Sequence, residues 1–303
     1  MPNRRYAVID LGTNTFHLLI AEQQADNTFK ELYRKRYFVK LAEEGIETIG
    51  KAPLQRGLAA LQHFRQVIAE LQVNKVKAIG TAALRTASNG PSFMQQVKQE
   101  LGIDIELITG NQEAAYIHQG VAMAVPFQEQ NYLLMDIGGG SVEFIIANKS
   151  KVHWAASFPI GVGVLYKKFH QHDPILPTEI AATKAYIDSF LSPLKDALQQ
   201  FSAKVLVGAS GTFEVLEFLL AKDKVFPTYA YINVADFHPF YKKIQGTTIQ
   251  ERLQMKDIPD TRADMIIVAL ILIDYMLALF GIEQIIVSKY AMKEGILADL
   301  LHR

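Results

Sequence analysis

Tyr132-Leu-Leu-Met-Asp136-Ile-Gly138-Gly139-Gly140-Ser141-Val142-Glu143-Phe-Ile-Ile-Ala147 reads as an apolar strand ending in an acid, a turn of three glycines, and a second apolar strand. The design also occurs near the start of the chain. There Tyr6 to Leu11 and Phe16 to Glu22 flank Gly12-Thr13-Asn14, with Asp10 at the place that Asp136 holds. Two copies of one strand-turn-strand unit predict two similarly built domains. The plain alternative is that any two hairpins share glycine turns.

Outward from the hairpins the chain alternates between helical and strand patterns. Leu54, Leu58, Leu61, Ile68 and Leu71 form one apolar helical face. Val76 to Gly80 reads as a strand, Asn89-Gly90-Pro91 opens a helix that Gly102 ends, and Ile105 to Thr109 is a strand before a helix over about 112–124. The second half repeats the order, with a helix over 177–200, a strand over 204–208, a helix over 212–220, an apolar helix ending near Phe280 and a strand over 282–288. This alternation predicts an α/β fold. Pro126 and the polar stretch Gln128 to Asn131 read as the hinge between lobes.

Composition narrows the chemistry. With no cysteine in 303 residues, a disulfide framework, a thiolate metal site and a cysteine nucleophile are all excluded. Half of the residues are apolar or aromatic, enough for a large core. The 31 basic and 31 acidic residues cancel, so a polyanion would have to be held by local groups rather than by bulk field. The one local basic patch is Lys149, Lys151, Lys167 and Lys168, with His153, His170 and His172 nearby. Met1 to Arg5 leads into Asp10 too soon for a signal peptide, and Met265 to Phe280 is shorter than the roughly 20 residues of a bilayer span. A cytoplasmic protein that engages no membrane and no specific nucleic acid is expected.

Consecutive glycines let backbone N–H groups converge on one anion, and phosphate is the natural guest of Gly138, Gly139 and Gly140. Ser141 can donate to a phosphate oxygen. Asp136 can hold Mg²⁺, and Glu143 shares the Ser141 face of the second strand. Asp10, Gly12, Thr13, Asn14 and Thr15 make the matching loop, with one glycine and three side chains able to bond phosphate. Gly208-Ala-Ser210-Gly211-Thr212 follows a strand and opens a helix, so its amides suit another phosphate, or Ser210 or Thr212 simply caps the helix. Glu113, at a helix start following a strand, is a further candidate, though a carboxylate there ordinarily complements the helix dipole. Arg85 is a solvated arginine or a bidentate phosphoryl ligand.

In order, Ala7 to His17, Gly80-Thr-Ala-Ala-Leu-Arg85, Thr109-Gly-Asn-Gln-Glu-Ala114, Leu134 to Glu143, Ser157-Phe-Pro-Ile-Gly161, Gly208 to Thr212, Arg262-Ala-Asp264, Val287-Ser288 and Glu294-Gly-Ile-Leu297 resemble the exopolyphosphatase and guanosine pentaphosphate phosphohydrolase (Ppx/GppA) family over nearly the whole chain. The resemblance implies two RNase H-like domains of the actin-like ATPase superfamily with an interdomain cleft. They would cover residues 1–125, completed by a C-terminal helix over about 291–303, and 126–290, as in a short member without C-terminal helical domains. It implies Glu113 as the base that deprotonates the attacking water, and Asp136 and Glu143 as acidic residues associated with Mg²⁺ or another divalent cation. Asp10, Gly12, Thr13, Asn14, Thr15, Arg85, Gly138, Gly139, Gly140, Ser141, Gly208, Ser210, Gly211 and Thr212 then line the phosphate.

The implied activity is release of orthophosphate from the end of inorganic polyphosphate, short chains ahead of long ones, with guanosine pentaphosphate or tetraphosphate as a further ligand and a homodimer as the assembly. Four features depart from the family pattern: Gln112 for a glutamate, Val164 for an arginine, Lys289-Tyr290 for Asp-Gly, and Lys293 for an arginine. Two alternatives remain at this point. One is a sugar-kinase or actin-like ATP-binding enzyme; the other is a non-catalytic polyphosphate or alarmone-binding regulator, favoured by Val164 and Lys289.

Overall fold

The computed structural model describes residues 4–25, 28–221 and 225–302. The first three residues of the basic start and Arg303, the end of the expected C-terminal helix, lie outside that set. In chain order the strands are β1 (Arg5–Leu11), β2 (Thr15–Gln23), β3 (Phe29–Phe38), β4 (Lys75–Gly80), β5 (Ile105–Leu107), β6 (Tyr132–Ile137), β7 (Val142–Ala147), β8 (Val152–Phe158), β9 (Val205–Ala209), β10 (Tyr229–Asn233) and β11 (Gln284–Ser288). The helices are α1 (Lys51–Glu70), α2 (Ala82–Thr86), α3 (Gly90–Leu101), α4 (Gly110–Ala124), α5 (Val162–Phe169), α6 (Pro177–Asp188), α7 (Ser192–Gln200), α8 (Gly211–Leu220), α9 (Val234–Gln245), α10 (Ile249–Gln254), α11 (Ile266–Phe280) and α12 (Met292–His302).

The strands form two sheets of mixed direction, ordered β3-β2-β1-β4-β5 and β10-β11-β9-β6-β7-β8. In the first, β1 pairs antiparallel with β2 and parallel with β4. In the second, β6 pairs antiparallel with β7 and parallel with β9. Laying β1, β2, β3, β4 and β5 on β6, β7, β8, β9 and β11 superposes the two strand orders, and only β10 is extra. The duplication read from the two glycine turns therefore extends to whole α/β units. Two compact units result: Met1–Gly120 with Met292–Arg303, and Val121–Ala291.

Central strands are apolar because both of their faces are covered. Every residue of β6, β7 and β9 is buried, and so are Tyr6 to Leu11 of β1. The edge strands β3 and β8 are mostly half-exposed, and sequence reading passed over both. The helix expected over 177–200 is two helices, α6 and α7, with a break at 189–191. Pro193 enforces the second start, since proline suits a first helical turn and no helix interior. The apolar run near Phe280 is the buried core helix α11, with Ile266 to Ile273 all buried. Among the described residues no helix is long and apolar enough to cross a membrane. Gly102 and Gly281 end α3 and α11 with φ of 69° and 58°, a left-handed conformation that only glycine adopts without penalty.

Candidate active site

Both glycine turns are closed by the same bond. Gly12 N–H donates to Thr15 O at 3.0 Å, and Gly138 N–H donates to Ser141 O at 2.9 Å. What orients the rest of each loop is a second segment behind it. In the second unit the start of α5 docks on the turn: Val162 N–H donates to Gly138 O (3.0 Å), Gly163 N–H to Gly139 O (2.9 Å), and Gly161 N–H to Gly140 O (3.4 Å). A trans peptide holds its C=O and the following N–H on opposite sides. With three carbonyls turned to α5, the N–H groups of Gly139, Gly140 and Ser141 point the other way together, as an anion nest requires. The approach is close enough to demand glycine at 161, where a Cβ would lie 2.5 Å from backbone atoms of Gly139 and Gly140.

Residues 39–41 do the equivalent work in the first unit. Val39 and Lys40 N–H both donate to Asn14 O (3.0 and 2.9 Å), and Leu41 N–H donates to Thr13 O (2.7 Å). Lys40 adopts φ 50°, which lets two successive amides reach one carbonyl. By the same planarity the N–H groups of Asn14 and Thr15 are turned away from this segment. Nothing in the sequence flagged 39–41 or Gly161 for this role.

The acids lie in register across the hairpins. Asp136 is directly opposite Glu143 on β6 and β7, so their side chains share a face. Both are buried. Each holds a serine hydroxyl: Ser210 Oγ donates to Asp136 Oδ2 at 3.0 Å, and Ser157 Oγ donates to Glu143 Oε1 at 2.6 Å. Ser210 sits at the N-cap position of α8 but makes no side-chain cap bond there, which corrects the helix-cap reading of this residue. Its φ of 67° is unusual for a non-glycine residue and costs on the order of 1–3 kcal/mol. The same turn ties β9 to Asp136. Gly211 follows under the Arg262 guanidinium, which occupies the space a Cβ would need, and Thr212 is buried within α8.

Two carboxylates on one face suit a hard cation such as Mg²⁺, which takes one or two carboxylates and completes its shell with water and substrate oxygens. Among the described residues no cluster of three or more metal-ligating side chains occurs. Asp136 and Glu143, opposite each other across the hairpin, are the pair that could hold such an ion, which would supply positive charge to phosphate oxygens.

In the first unit, α4 carries Glu113 in its first turn. Thr109 caps this helix, its Oγ1 accepting from Gln112 N–H (3.2 Å) while Gln112 Oε1 accepts from Thr109 N–H (2.8 Å). This is a capping box, which glutamine fills as well as glutamate, so Gln112 retains the structural duty of the residue it replaces. Glu113 is buried, with Oε2 3.8 Å from Arg85 Nη1. Arg85 lies on the short helix α2, which sequence reading did not resolve, and its Nη1 also donates to Ile108 O at 2.6 Å. It is anchored rather than freely solvated.

Asp10, opposite His17 on β1 and β2, is buried. Burial pushes its carboxyl up to about 6, Lys293 pulls the other way, and Glu294 adds to the rise. Lys293 and Glu294 come from α12, which packs on β1. Glu294 is fully buried and meets Arg34 at 2.7 Å. Lys289 is tied elsewhere, to Glu217 Oε1 and Phe226 O, both at 3.2 Å. The basic patch divides among local partners: Lys168 lies over Tyr186, His153 over Phe201, His170 against Tyr166, and His172 pairs with Glu179.

This architecture has known relatives. A crystal structure of an exopolyphosphatase from Cytophaga hutchinsonii is 38% identical, with a TM-score of 0.94 over 99% of this chain and 98% of that one. The Aquifex aeolicus PPX-GPPA enzyme is 25% identical, with a TM-score of 0.78 over 98% of this chain and 100% of that one. A guanosine-5'-triphosphate,3'-diphosphate pyrophosphatase from Vibrio atlanticus is 28% identical over 98% of this chain, which spans 59% of that protein's length. The model of the Ppx/GppA phosphatase family matches residues 19–303, and the chain belongs to that family.

Proposed function

We propose that this chain hydrolyses terminal phosphoanhydride bonds of inorganic polyphosphate and releases orthophosphate in a Mg²⁺-supported reaction. Guanosine pentaphosphate is the second candidate substrate. The observation that carries the reading is the docking of three loop carbonyls on α5, which turns the amides of Gly139, Gly140 and Ser141 to one side. Phosphoryl transfer asks for positioned donors and cations around the transferred group and a positioned nucleophile, with little covalent help.

In this reading the loops at Gly138 to Ser141 and Gly12 to Thr15 hold phosphate oxygens through their amides and hydroxyls. The Gly208 to Thr212 turn supports the first of them by holding Asp136 through Ser210. Glu113 takes the proton of the attacking water, and Arg85, held by Ile108 O and 3.8 Å from Glu113, offers cationic charge to the phosphoryl. The names borne by the Cytophaga and Vibrio relatives support polyphosphate and guanosine pentaphosphate as the substrates to try first. We place the enzyme in the cytoplasm as a homodimer.

The test is phosphate release with Mg²⁺ from short polyphosphate, long polyphosphate and guanosine pentaphosphate, using Glu113→Gln as control. Release that is faster from short chains and reduced at least a hundredfold by the substitution is expected, the scale of a lost general base. No release from any of the three, or full activity in Glu113→Gln, refutes the assignment.

A further inference from the structure

Thr15 stands in the first turn where Ser141 stands in the second, and its Oγ1 is 2.9 Å from His17 Nε2. A threonine hydroxyl has one proton and two lone pairs. If Nε2 is bare it takes that proton, and Thr15 turns lone pairs toward any anion held by the neighbouring amides. If Nε2 carries a proton it donates to Oγ1 instead, and the threonine proton is released to bond the anion. One nitrogen therefore decides whether Thr15 attracts or repels a phosphoryl oxygen.

We propose that His17 is a positioning residue for the first loop: an Nε2–H holds Thr15 Oγ1 so that the Thr15 hydroxyl donates to a bound phosphoryl oxygen. The inference rests on the reading of this loop as phosphate-binding. The second unit needs no such device, because Glu143 stands opposite Asp136 there and three glycines lie in its turn.

Charged groups approach His17 from several elements. On its own face, β1 places Asp10 directly opposite, and β3 places Arg36 opposite on the other side. Arg34 is two residues further along β3 and is engaged by Glu294. Helix α12, packed on β1, brings Lys293 and Glu294. Helix α1 packs on the opposite face, where Gly57 meets Phe16. Asp10 and Glu294 bring negative charge to this region, and Arg36 and Lys293 bring positive charge. Since Asp10 and a histidine change charge over neighbouring pH ranges, pH alone does not isolate His17, and variants are required.

The experiment uses the full chain and sulfate, a dianion that does not titrate across the histidine range of about pH 5 to 8. The Asn14 and Thr15 amide resonances report binding at this loop. His17→Leu is expected to weaken sulfate binding about tenfold, the scale of one hydrogen bond to a charged group. His17→Gln keeps an N–H donor and is expected to stay within about twofold of wild type. In a Thr15→Val background, His17→Leu should have no further effect, because the two residues act through one hydroxyl.

A merely structural histidine would move stability without this pattern of rescue and non-additivity. Histidine ¹⁵N shifts should show the proton on Nε2 in the sulfate-bound state. The assignment is overturned by a bare Nε2 in that state, by a loss from His17→Leu that is the same with and without Thr15→Val, or by no sulfate response at Asn14 and Thr15 in the wild type. If the loop binds sulfate as described while no phosphate is released from polyphosphate, the functional reading fails and the His17 assignment stands. Hydrolysis with an unchanged KM in His17→Leu gives the reverse.

Discussion

Substituting Gly161 with alanine tests whether α5 holds the Gly138 to Ser141 loop in its working orientation. The position has φ −64° and ψ 159°, which any residue adopts, so backbone strain is not the obstacle. Space is: the new methyl would sit 2.5 Å from Gly139 C, Gly139 O and Gly140 C, all backbone atoms that cannot rotate aside. Relief requires α5 to retreat by about 1 Å. That lengthens the bonds from Val162 and Gly163 to Gly138 O and Gly139 O, now 3.0 and 2.9 Å.

Overpacking of this kind costs about 1–3 kcal/mol, which bounds the expected loss of unfolding free energy in urea titration. The loop amides then lose their common direction, so KM for polyphosphate should rise about fivefold or more, with a smaller effect on kcat because the proposed base Glu113 is untouched. Hydrogen exchange should quicken at Val162 and Gly163. Gly246→Ala is the control, because its Cβ would meet only Lys243 O, at 3.9 Å, and φ there is −88°. Wild-type stability together with wild-type KM in Gly161→Ala would refute the reasoning.

Two further outcomes follow from the first unit. Asp10 has its carboxyl raised to about 6 from 3.8, so the folded state retains a proton that the unfolded chain has lost, and stability falls as pH rises from about 4 to about 6. Asp10→Asn should therefore be more stable than wild type by up to about 3 kcal/mol at pH 7, a gain that fades near pH 4; thermal melts at both pH values measure it. In α12, a Cβ at Gly295 would overlap the Tyr116 carbonyl of α4. Gly295→Ala should lower stability by at least about 1–3 kcal/mol and slow turnover, because α4 carries Glu113; urea titration and phosphate release check both.

The hairpins were legible because an apolar run, an acid and a glycine turn form a local signal complete within a dozen residues. β3 was not, since its sequence Phe-Lys-Glu-Leu-Tyr-Arg-Lys-Arg-Tyr-Phe holds five charges, as befits an edge strand with a wet face. α2 was missed because five residues carry no helical period. The candidate acids could be named from motif order, but their geometry could not. That Ser210 serves Asp136 rather than the end of α8 depends on a contact spanning 74 residues, and the role of Gly161 depends on backbone atoms about 20 residues away. Periodicity and propensity describe what a segment does for itself, not what it does for a distant turn.

The docking of α5 has an electrical consequence. The positive end of its macrodipole spends its N–H groups on Gly138, Gly139 and Gly140 carbonyls, and each of those peptide units presents an N–H on its far side. Three peptide dipoles are thus stacked in series with the helix, and hydrogen-bonded chains of this kind polarise one another. An anion at the loop would feel the polarity of α5, with Lys167 and Lys168 in its last turn, without touching any residue of that helix. Charge altered within α5, well behind the loop, would reach the anion through those three peptide groups.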